Sequence, residues 1–214
     1  MLAESIRFAA AATAAFVLGS GVAAELAPDV LVKNVTLEVV EIVQQDKDIR
    51  AGDRKKVIAL IEDKVLPHFN FQTMTATAVG RNWDKASPEQ KARLTQEFKT
   101  LLVRTYASSI AAYSGQKFDF RPLRAKPTDT DVTVYVRVLQ SGTQPVQIDY
   151  DMEKRPNGWK VWDVRVAGIS LVANYRTEFD NLVRGGGIDG LVRALQEKNQ
   201  SLDRAPVAAG AGRK

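Results

Sequence analysis

The chain of 214 residues contains 30 lysines and arginines, 25 acidic residues and no cysteine, and its formal charge is +5. A chain of this length forms one domain, and without cysteine that domain must be stable without disulfides. Lysine and arginine are spread among acidic residues instead of forming a basic stripe with interleaved aromatic residues, which argues against nucleic-acid binding.

The N-terminus is typical of a secretory signal peptide. Arg7 precedes an apolar run from Phe8 to Leu18, and small residues then lead to Ala24. That order of positive charge, short apolar stretch and small residues predicts cleavage after Ala24. A signal anchor is the alternative, although the apolar run is shorter than a membrane-spanning helix requires. We therefore expect residues 1–24 to be removed on secretion.

Helices are predicted for the first part of the mature chain. Pro28 begins a helix in which valines recur at helical spacing, and this helix ends near Gly52. Asp53 is placed to cap a second helix, which Pro67 halts. A short apolar helix follows and stops at Gly80. The first two helices each carry one apolar stripe, and the third carries a dense apolar patch.

The clearest helix start on the chain lies at Ser87. Ser87 is followed by Pro88 and, at the third helical position, by Gln90, which together predict a capping box. The helix is predicted to run to about Tyr113. Two adjoining apolar stripes give it an apolar face wider than contact with one sheet requires.

A meander of strands is predicted next. A short edge strand lies around Phe118, and valines alternate with polar residues over 132–138. The clearest hairpin spans 144–166, where apolar residues alternate on both sides of Asn157-Gly158. That pair accepts the positive φ angles of a tight turn. The pattern predicts four antiparallel strands with one buried face.

The C-terminal part is predicted to be helical again. Ser170 is placed to cap a helix, the glycines at 185–187 to break it, and Asp189 to open a last helix. Residues 203–214 are rich in alanine and glycine, and we expect a disordered tail there.

The order of helices, strands and helices predicts a single α+β domain over 25–202. Its parts are a helical region, 28–115, a sheet, 117–167, and closing helices, 170–202. We expect a curved antiparallel sheet of four or slightly more strands, covered by helices. This arrangement resembles the cone-shaped NTF2-like architecture with an added helical part, in which an apolar pocket can form.

Residues suited to catalysis or metal binding are few. His68 is the only histidine, and no cysteine or paired carboxylate accompanies it at metal-ligand spacing. No serine lies in a G-x-S-x-G elbow. We therefore predict no metal site and no catalytic residue, and expect His68 to have a structural or surface role.

Three aspartates in the predicted sheet are the remaining candidates for acid–base chemistry. By alternation, Asp149, Asp151 and Asp163 fall opposite the bulky apolar face. We expect them to be solvated or paired with Lys160 and Arg165, and not to act as a catalytic pair.

Three segments of the chain carry a family resemblance. They read VLPHFNFQTMTATAVGRNWDKASPEQKARLTQEFKTLLVRTYASSI, PVQIDYDM and NGWKVWDVRVAGISLVANYRTEFDNLV. The most specific parts are GRNW with the following SPEQ cap, and GWKVWDVRVAGISLVANYR. In the order and spacing of these residues, from about Pro28 to Leu202, the chain resembles the MlaC, or toluene-tolerance auxiliary, family of periplasmic phospholipid carriers.

The resemblance implies a soluble monomer that carries glycerophospholipid across the periplasm and keeps the outer membrane asymmetric. It implies no cofactor and no enzymatic activity. The implied partners are an inner-membrane ABC-transporter complex with an MCE-domain ring and an outer-membrane lipoprotein–porin complex. Two alternatives stay open: a periplasmic carrier of another apolar molecule, such as a hopanoid or an aromatic solvent, and an NTF2-like enzyme.

The apolar faces allow two interpretations, a packed core or layers held apart around a pocket. The resemblance favours a pocket that takes acyl chains and leaves the headgroup exposed. Burying two acyl chains would contribute on the order of 20 kcal/mol, at about 0.8 kcal/mol per methylene. We therefore expect lipid to leave slowly until a partner opens the seam between helices and sheet. The faces assigned above predict the following lipid-binding residues: Phe69, Phe71, Met74, Phe98, Leu102, Tyr106, Val134, Val136, Ile148, Tyr150, Met152, Trp162, Val164, Leu171 and Tyr175.

Overall fold

The structure is a computed structural model that describes residues 26–126 and 128–204. The predicted signal peptide and nearly all of the predicted tail lie outside these residues. The α-helices are α1 (Pro28–Gln45), α2 (Lys47–Arg50), α3 (Arg54–Leu60), α4 (Phe71–Val79), α5 (Pro88–Ala111) and α6 (Arg176–Arg204). A π-helical turn, Ile61–Val65, and 3₁₀ turns at Leu66–His68, Gly80–Lys85 and Ala173–Tyr175 connect them. Among the described residues, no helix combines the length and apolar character that a membrane span requires.

The strands form one antiparallel meander in the order β1 (Lys117–Phe120), β2 (Asp131–Leu139), β3 (Val146–Arg155), β4 (Gly158–Val166) and β5 (Ile169–Ser170). The α+β prediction is therefore confirmed, with five strands. The face that carries Val134, Val136, Ile148, Tyr150 and Met152 is turned toward the helices and is called the inner face. The opposite, outer face carries Tyr135, Asp149 and Asp151.

The fifth strand replaces a predicted helix start. Ala167 and Gly168 have φ angles of 51° and 82°, and this tight turn folds the chain back so that Ser170 pairs with Arg165. Ser170 Oγ still accepts a hydrogen bond from the amide of Ala173 at 2.8 Å. It therefore caps only a 3₁₀ turn, and the prediction that Ser170 starts a helix is wrong because the next α-helix begins at Arg176.

Helix boundaries follow local signals elsewhere. Ser87 Oγ accepts from the amide of Gln90 at 3.2 Å, and Gln90 Oε1 accepts from the amide of Ser87 at 3.0 Å, which confirms the capping box. Asp53 caps α3 by accepting from two backbone amides. Gly187 has a φ of 67° inside α6, so the predicted glycine break interrupts that helix.

The buried side chains form three clusters. One joins α4, α5 and α6 around Phe98 and Phe179, and a second joins α1 to the inner face through Val32. The third packs α1, α2 and α3 against α5 around Val43 and Val57. Members of all three clusters contribute to the wall of one cavity, so the layers are held apart along their common boundary.

Candidate functional site

An apolar cavity of about 480 Å³ lies between the inner face of the sheet and helices α1, α4 and α5. This volume is within the range of roughly 300–1,000 Å³ that is usual for ligand pockets. The residues that line it are called the cavity wall. The predicted pocket is therefore present in the fold, and the alternative of a fully packed core is wrong.

The sheet supplies the floor of the cavity. Ile148, Tyr150 and Met152 of β3 lie on the cavity wall because side chains two residues apart share one face. On β4 they pair with Val166, Val164 and Val161 respectively. The four residue-to-residue steps from Ile148 to Met152 span roughly 13 Å along the strand, so the floor is elongated in the strand direction.

Helix α1 supplies the roof. Its residues on the cavity wall recur with helical spacing and are aliphatic except for one threonine. Val32 also packs against Val134 and Val136, which anchors this helix to β2. The wall residues of α1 are Leu31, Val32, Val35, Thr36, Val39, Val40 and Val43.

The sides of the cavity come from α5 and from the segment that leads into α4. Leu102 and Tyr106 face the cavity from α5. The segment before α4 is attached to the sheet by a hydrogen bond of 2.8 Å from the amide of Asn70 to the carbonyl of Val161. Phe69 and Phe71 stack next to this bond with ring centroids 5.9 Å apart.

The structure brings most of the predicted lipid-binding residues together. The predicted residues found on the cavity wall are Phe69, Phe71, Met74, Leu102, Tyr106, Ile148, Tyr150, Met152, Val164 and Leu171. The predicted residues that lie outside the wall are Phe98, Val134, Val136, Trp162 and Tyr175.

A β-bulge moves Trp162 off the wall. Asp151 pairs with Asp163 but Met152 pairs with Val161, so Trp162 is an extra residue on β4. As a result Val161 and Val164, three residues apart, both reach the cavity wall. Strict alternation, on which the assignment of Trp162 was based, fails at this point.

Two packed layers account for the other residues outside the wall. Phe98 is fully buried between α5 and α6, where its ring meets Tyr175 at 5.2 Å and Phe179 at 5.3 Å. Val134 and Val136 have the predicted inward orientation, but α1 covers them. Of the two apolar stripes on α5, one therefore faces α6 and the other faces the cavity.

Sequence reasoning missed the contribution of α1 to the wall. Its valines at helical spacing were recognised as a buried stripe, and Val35 and Val39 are among them. That periodicity shows which side of a helix is buried, but it carries no information on whether the opposite surface is another helix, a sheet or an open space.

The aspartates of the sheet lie on the outer face and are buried, with exposed fractions of 9%, 5% and 5% for Asp149, Asp151 and Asp163. The expectation that they are solvated is wrong. Arg165 pairs with Asp151 at 2.5 Å and with Asp149 at 3.6 Å, which confirms one predicted partner. Asp163 instead accepts from Ser170 Oγ at 2.5 Å. These carboxylates therefore hold the sheet together away from the cavity.

Burial favours the uncharged form of three titratable side chains on the cavity wall, Tyr150, Tyr106 and His68. Burial raises the pKa of Tyr150 to about 12, and burial also raises the pKa of Tyr106. Burial, followed by the positive charge of Lys160, lowers the pKa of His68, which lies on the wall. Over the ranges 26–126 and 128–204, no cluster of residues is suited to holding a metal ion. The wall is thus suited to an apolar ligand.

The position of His68 predicts a pH-dependent stability. Because its pKa is lowered in the folded chain, protonation favours the unfolded chain, in which the histidine has a pKa of about 6.5. The stability that neutral His68 contributes is present above that pH and is lost as the pH falls. In denaturant titrations of delipidated protein, the wild type should lose more free energy of unfolding between about pH 7.5 and about pH 5.5 than His68→Gln.

Lys160→Met is the matched variant for this measurement. The positive charge of Lys160 lowers the pKa of His68, whereas Glu38 opposes that shift. Lys160→Met should therefore lose less stability on acidification than the wild type. Equal losses in the wild type and His68→Gln would contradict the assignment.

Comparisons with known proteins find a matching family model, two curated relatives and a solved structure of similar fold that contains a phospholipid. The family model described as MlaC protein matches residues 33–197. The chain is 22% identical over 186 residues to the intermembrane phospholipid transport system binding protein MlaC of Haemophilus influenzae, covering 86% of this chain and 87% of that protein. It is 28% identical over 128 residues to toluene tolerance protein ttg2D of Pseudomonas putida, covering 57% of this chain and 59% of that protein. Among solved structures, the phospholipid-binding protein from Ralstonia solanacearum in complex with a phospholipid matches with a TM-score of 0.75 and 39% identity, over 81% of this chain and 97% of that one.

Proposed function

The chain belongs to the MlaC family, and from this membership we propose that it is a carrier of glycerophospholipid. The observation that carries the proposal is the elongated apolar cavity of about 480 Å³ in a fold shared with a phospholipid-bound protein. The acyl chains occupy the cavity, and the headgroup stays in solvent. The ten predicted residues on the cavity wall, together with α1, contact the chains.

The chemistry of the wall supports a carrier instead of an enzyme. Tyr150 and Tyr106 stay protonated and His68 stays neutral at pH 7, so no charged acid or base is aimed at a bound molecule from these positions. Aliphatic and aromatic side chains dominate the rest of the wall. Such a surface binds hydrocarbon through burial of apolar area, without activating a bond.

The proposed cellular role extends the membership of the MlaC family. The protein is exported to the periplasm after removal of residues 1–24, works there as a monomer, and maintains outer-membrane lipid asymmetry. Its docking partners are an inner-membrane ABC-transporter complex with an MCE-domain ring and an outer-membrane lipoprotein–porin complex. Support comes from the relative named as a binding protein of an intermembrane phospholipid transport system.

A carrier of an aromatic solvent is the second candidate, because one relative is named as a toluene tolerance protein. The shape of the cavity favours the phospholipid. Its floor extends over the residues from Ile148 to Met152, roughly 13 Å along the strand. A single aromatic ring would leave much of this apolar surface uncovered.

Mass spectrometry of organic extracts tests the proposal. Protein purified after export from a Gram-negative host should yield diacyl phospholipid, retained through washing with lipid-free buffer. Extracts that contain another lipid class, or no lipid, would refute the proposal. A parallel incubation with toluene should leave the bound phospholipid in place, whereas displacement of the phospholipid by toluene would favour the second candidate.

Lipid release should require a partner. With about 0.8 kcal/mol for each buried methylene, the chains lose much free energy on leaving the cavity, and a partner that opens the seam between helices and sheet lowers the barrier to their release. Protein loaded with fluorescent phospholipid should therefore retain it for minutes when mixed with empty vesicles. Addition of the purified MCE-domain ring should accelerate transfer. Complete release within seconds in the presence of vesicles alone would contradict the proposal that release requires a partner.

A further inference from the structure

We infer that the hydroxyl of Tyr150 is a hydrogen-bond donor to an ester carbonyl of the bound lipid. This inference rests on the proposed function and names a specificity-determining residue within the cavity. It implies that the protein distinguishes ester-linked from ether-linked lipids, in addition to binding their hydrocarbon chains.

Tyr150 lies at the middle of the cavity floor. It belongs to the central strand β3 and pairs with Val134 on β2 and with Val164 on β4. Its neighbours on the same face of β3 are Ile148 and Met152, which also line the cavity. The phenol is therefore surrounded by apolar side chains, at a distance from the charged residues of the outer face.

The hydroxyl of Tyr150 differs from the other hydroxyls on the wall. Thr36 and Tyr113 each donate to a backbone carbonyl, at 2.7 Å and 3.3 Å, and Tyr106 is hydrogen-bonded to a neighbouring tyrosine. Ser109 is exposed. No residue within the described part of the chain hydrogen-bonds Tyr150, and burial is the single cause that raises its pKa.

Tyr150 is half-buried on the cavity wall, so a lipid that fills the cavity removes its hydroxyl from water. That desolvation costs free energy unless the lipid supplies an acceptor for the hydroxyl. Tyr150 stays protonated at neutral pH, so its hydroxyl can donate a hydrogen bond to an acceptor of the ligand. In a diacyl lipid, the acceptors adjacent to the hydrocarbon are the ester carbonyls. The phosphate is excluded because a charged group would lose its hydration on this apolar floor.

The test compares lipids that differ only in linkage. Diester and diether phosphatidylcholine of equal chain length are offered in competition to the delipidated protein, and bound lipid is quantified by mass spectrometry. The wild type should prefer the diester about tenfold, the size of one hydrogen bond of about 1.4 kcal/mol. In Tyr150→Phe the binding of the diester should fall about tenfold, and that of the diether should stay the same.

Tyr135→Phe is the matched control. Tyr135 lies on the outer face of the adjoining strand β2 and is 44% exposed, so removal of its hydroxyl should leave the preference for the diester unchanged. A wild type without preference, or a Tyr150→Phe variant that keeps it, would overturn the inference. Failure of the wild type to bind either lipid would instead refute the proposed function.

Infrared spectroscopy of the wild type gives a second measurement that does not depend on a variant. One ester carbonyl of a ¹³C-labelled lipid should absorb at the lower frequency of a hydrogen-bonded ester when the lipid is bound. Bound esters that all absorb at the frequency of a free ester in hydrocarbon would overturn the inference, even if Tyr150→Phe failed to fold.

Discussion

Replacement of Ile148 by aspartate should abolish co-purification of phospholipid and weaken lipid binding by at least about 100-fold, or about 2.8 kcal/mol. Ile148 lies on the floor of the cavity, next to Tyr150 and opposite Val166. A carboxylate at position 148 stays hydrated in the delipidated protein. An acyl chain can then fill the cavity only by displacing this water, which costs free energy, or by leaving part of the floor without contact. Binding is measured by vesicle-based loading of delipidated protein.

Val146→Asp is the matched control for Ile148→Asp. Val146 lies on the same strand, is 42% exposed and is outside the cavity wall. The same charge placed there should leave lipid binding within about threefold of the wild type. Circular dichroism and thermal unfolding of both delipidated variants separate loss of binding from loss of folding. If folded Ile148→Asp bound lipid as tightly as Val146→Asp, the cavity would not be the lipid site.

Replacement of Phe98 by alanine should lower the free energy of unfolding by about 3–5 kcal/mol. Its ring is fully buried and meets Tyr175 and Phe179 edge to face, at 5.2 Å and 5.3 Å. Truncation removes these contacts and leaves a void between α5 and α6, which rigid helices close incompletely. The loss is measured by denaturant unfolding of delipidated protein, with Phe98→Leu as a milder variant.

The variant Phe71→Ala tests whether residues of the cavity wall contribute to lipid binding, whereas residues of the packed core contribute to stability. Phe71 is half-buried on the cavity wall, where one side of its ring already faces open space. Its truncation should therefore cost less stability than that of Phe98, but it should weaken lipid binding because bound chains lose a contact. Folded Phe98→Leu should bind lipid like the wild type. The opposite pattern, with Phe98 affecting binding and Phe71 affecting stability, would contradict the assignment of the two stripes.

Local signals in the sequence predicted the elements of this fold. The capping box at Ser87 and the helix break at Gly187 each depend on residues adjacent along the chain, and so does the hairpin turn, which the structure places one residue earlier than predicted, at Pro156-Asn157. The alternation of apolar residues placed Ile148, Tyr150 and Met152 on one face for the same reason. These features could be read from the sequence because the interactions that form them span only a few residues.

Other features depend on contacts between distant segments. The bulge at Trp162 coincides with a break in alternation, where Val161 and Trp162 are adjacent apolar residues, but only the strand pairing shows which of the two lies off the cavity wall. The burial of Asp149 and Asp151 depends on Arg165, which adjoins them only after strand pairing. After the turn at Ala167-Gly168, the chain forms a short strand where a helix start was expected. The pairing of Ser170 with β4 depends on this turn, whereas the cap that Ser170 provides is local.

The sequence by itself determined which side chains turn away from water, whereas only the tertiary structure decided what those side chains meet. Phe98 and Leu102 both belong to the apolar face of α5, yet one is packed against α6 and the other borders the cavity. Periodicity records the orientation of a side chain relative to its own helix or strand. The distance between two layers depends instead on the lengths of the connections and on the contacts at their edges, and that distance opened the cavity.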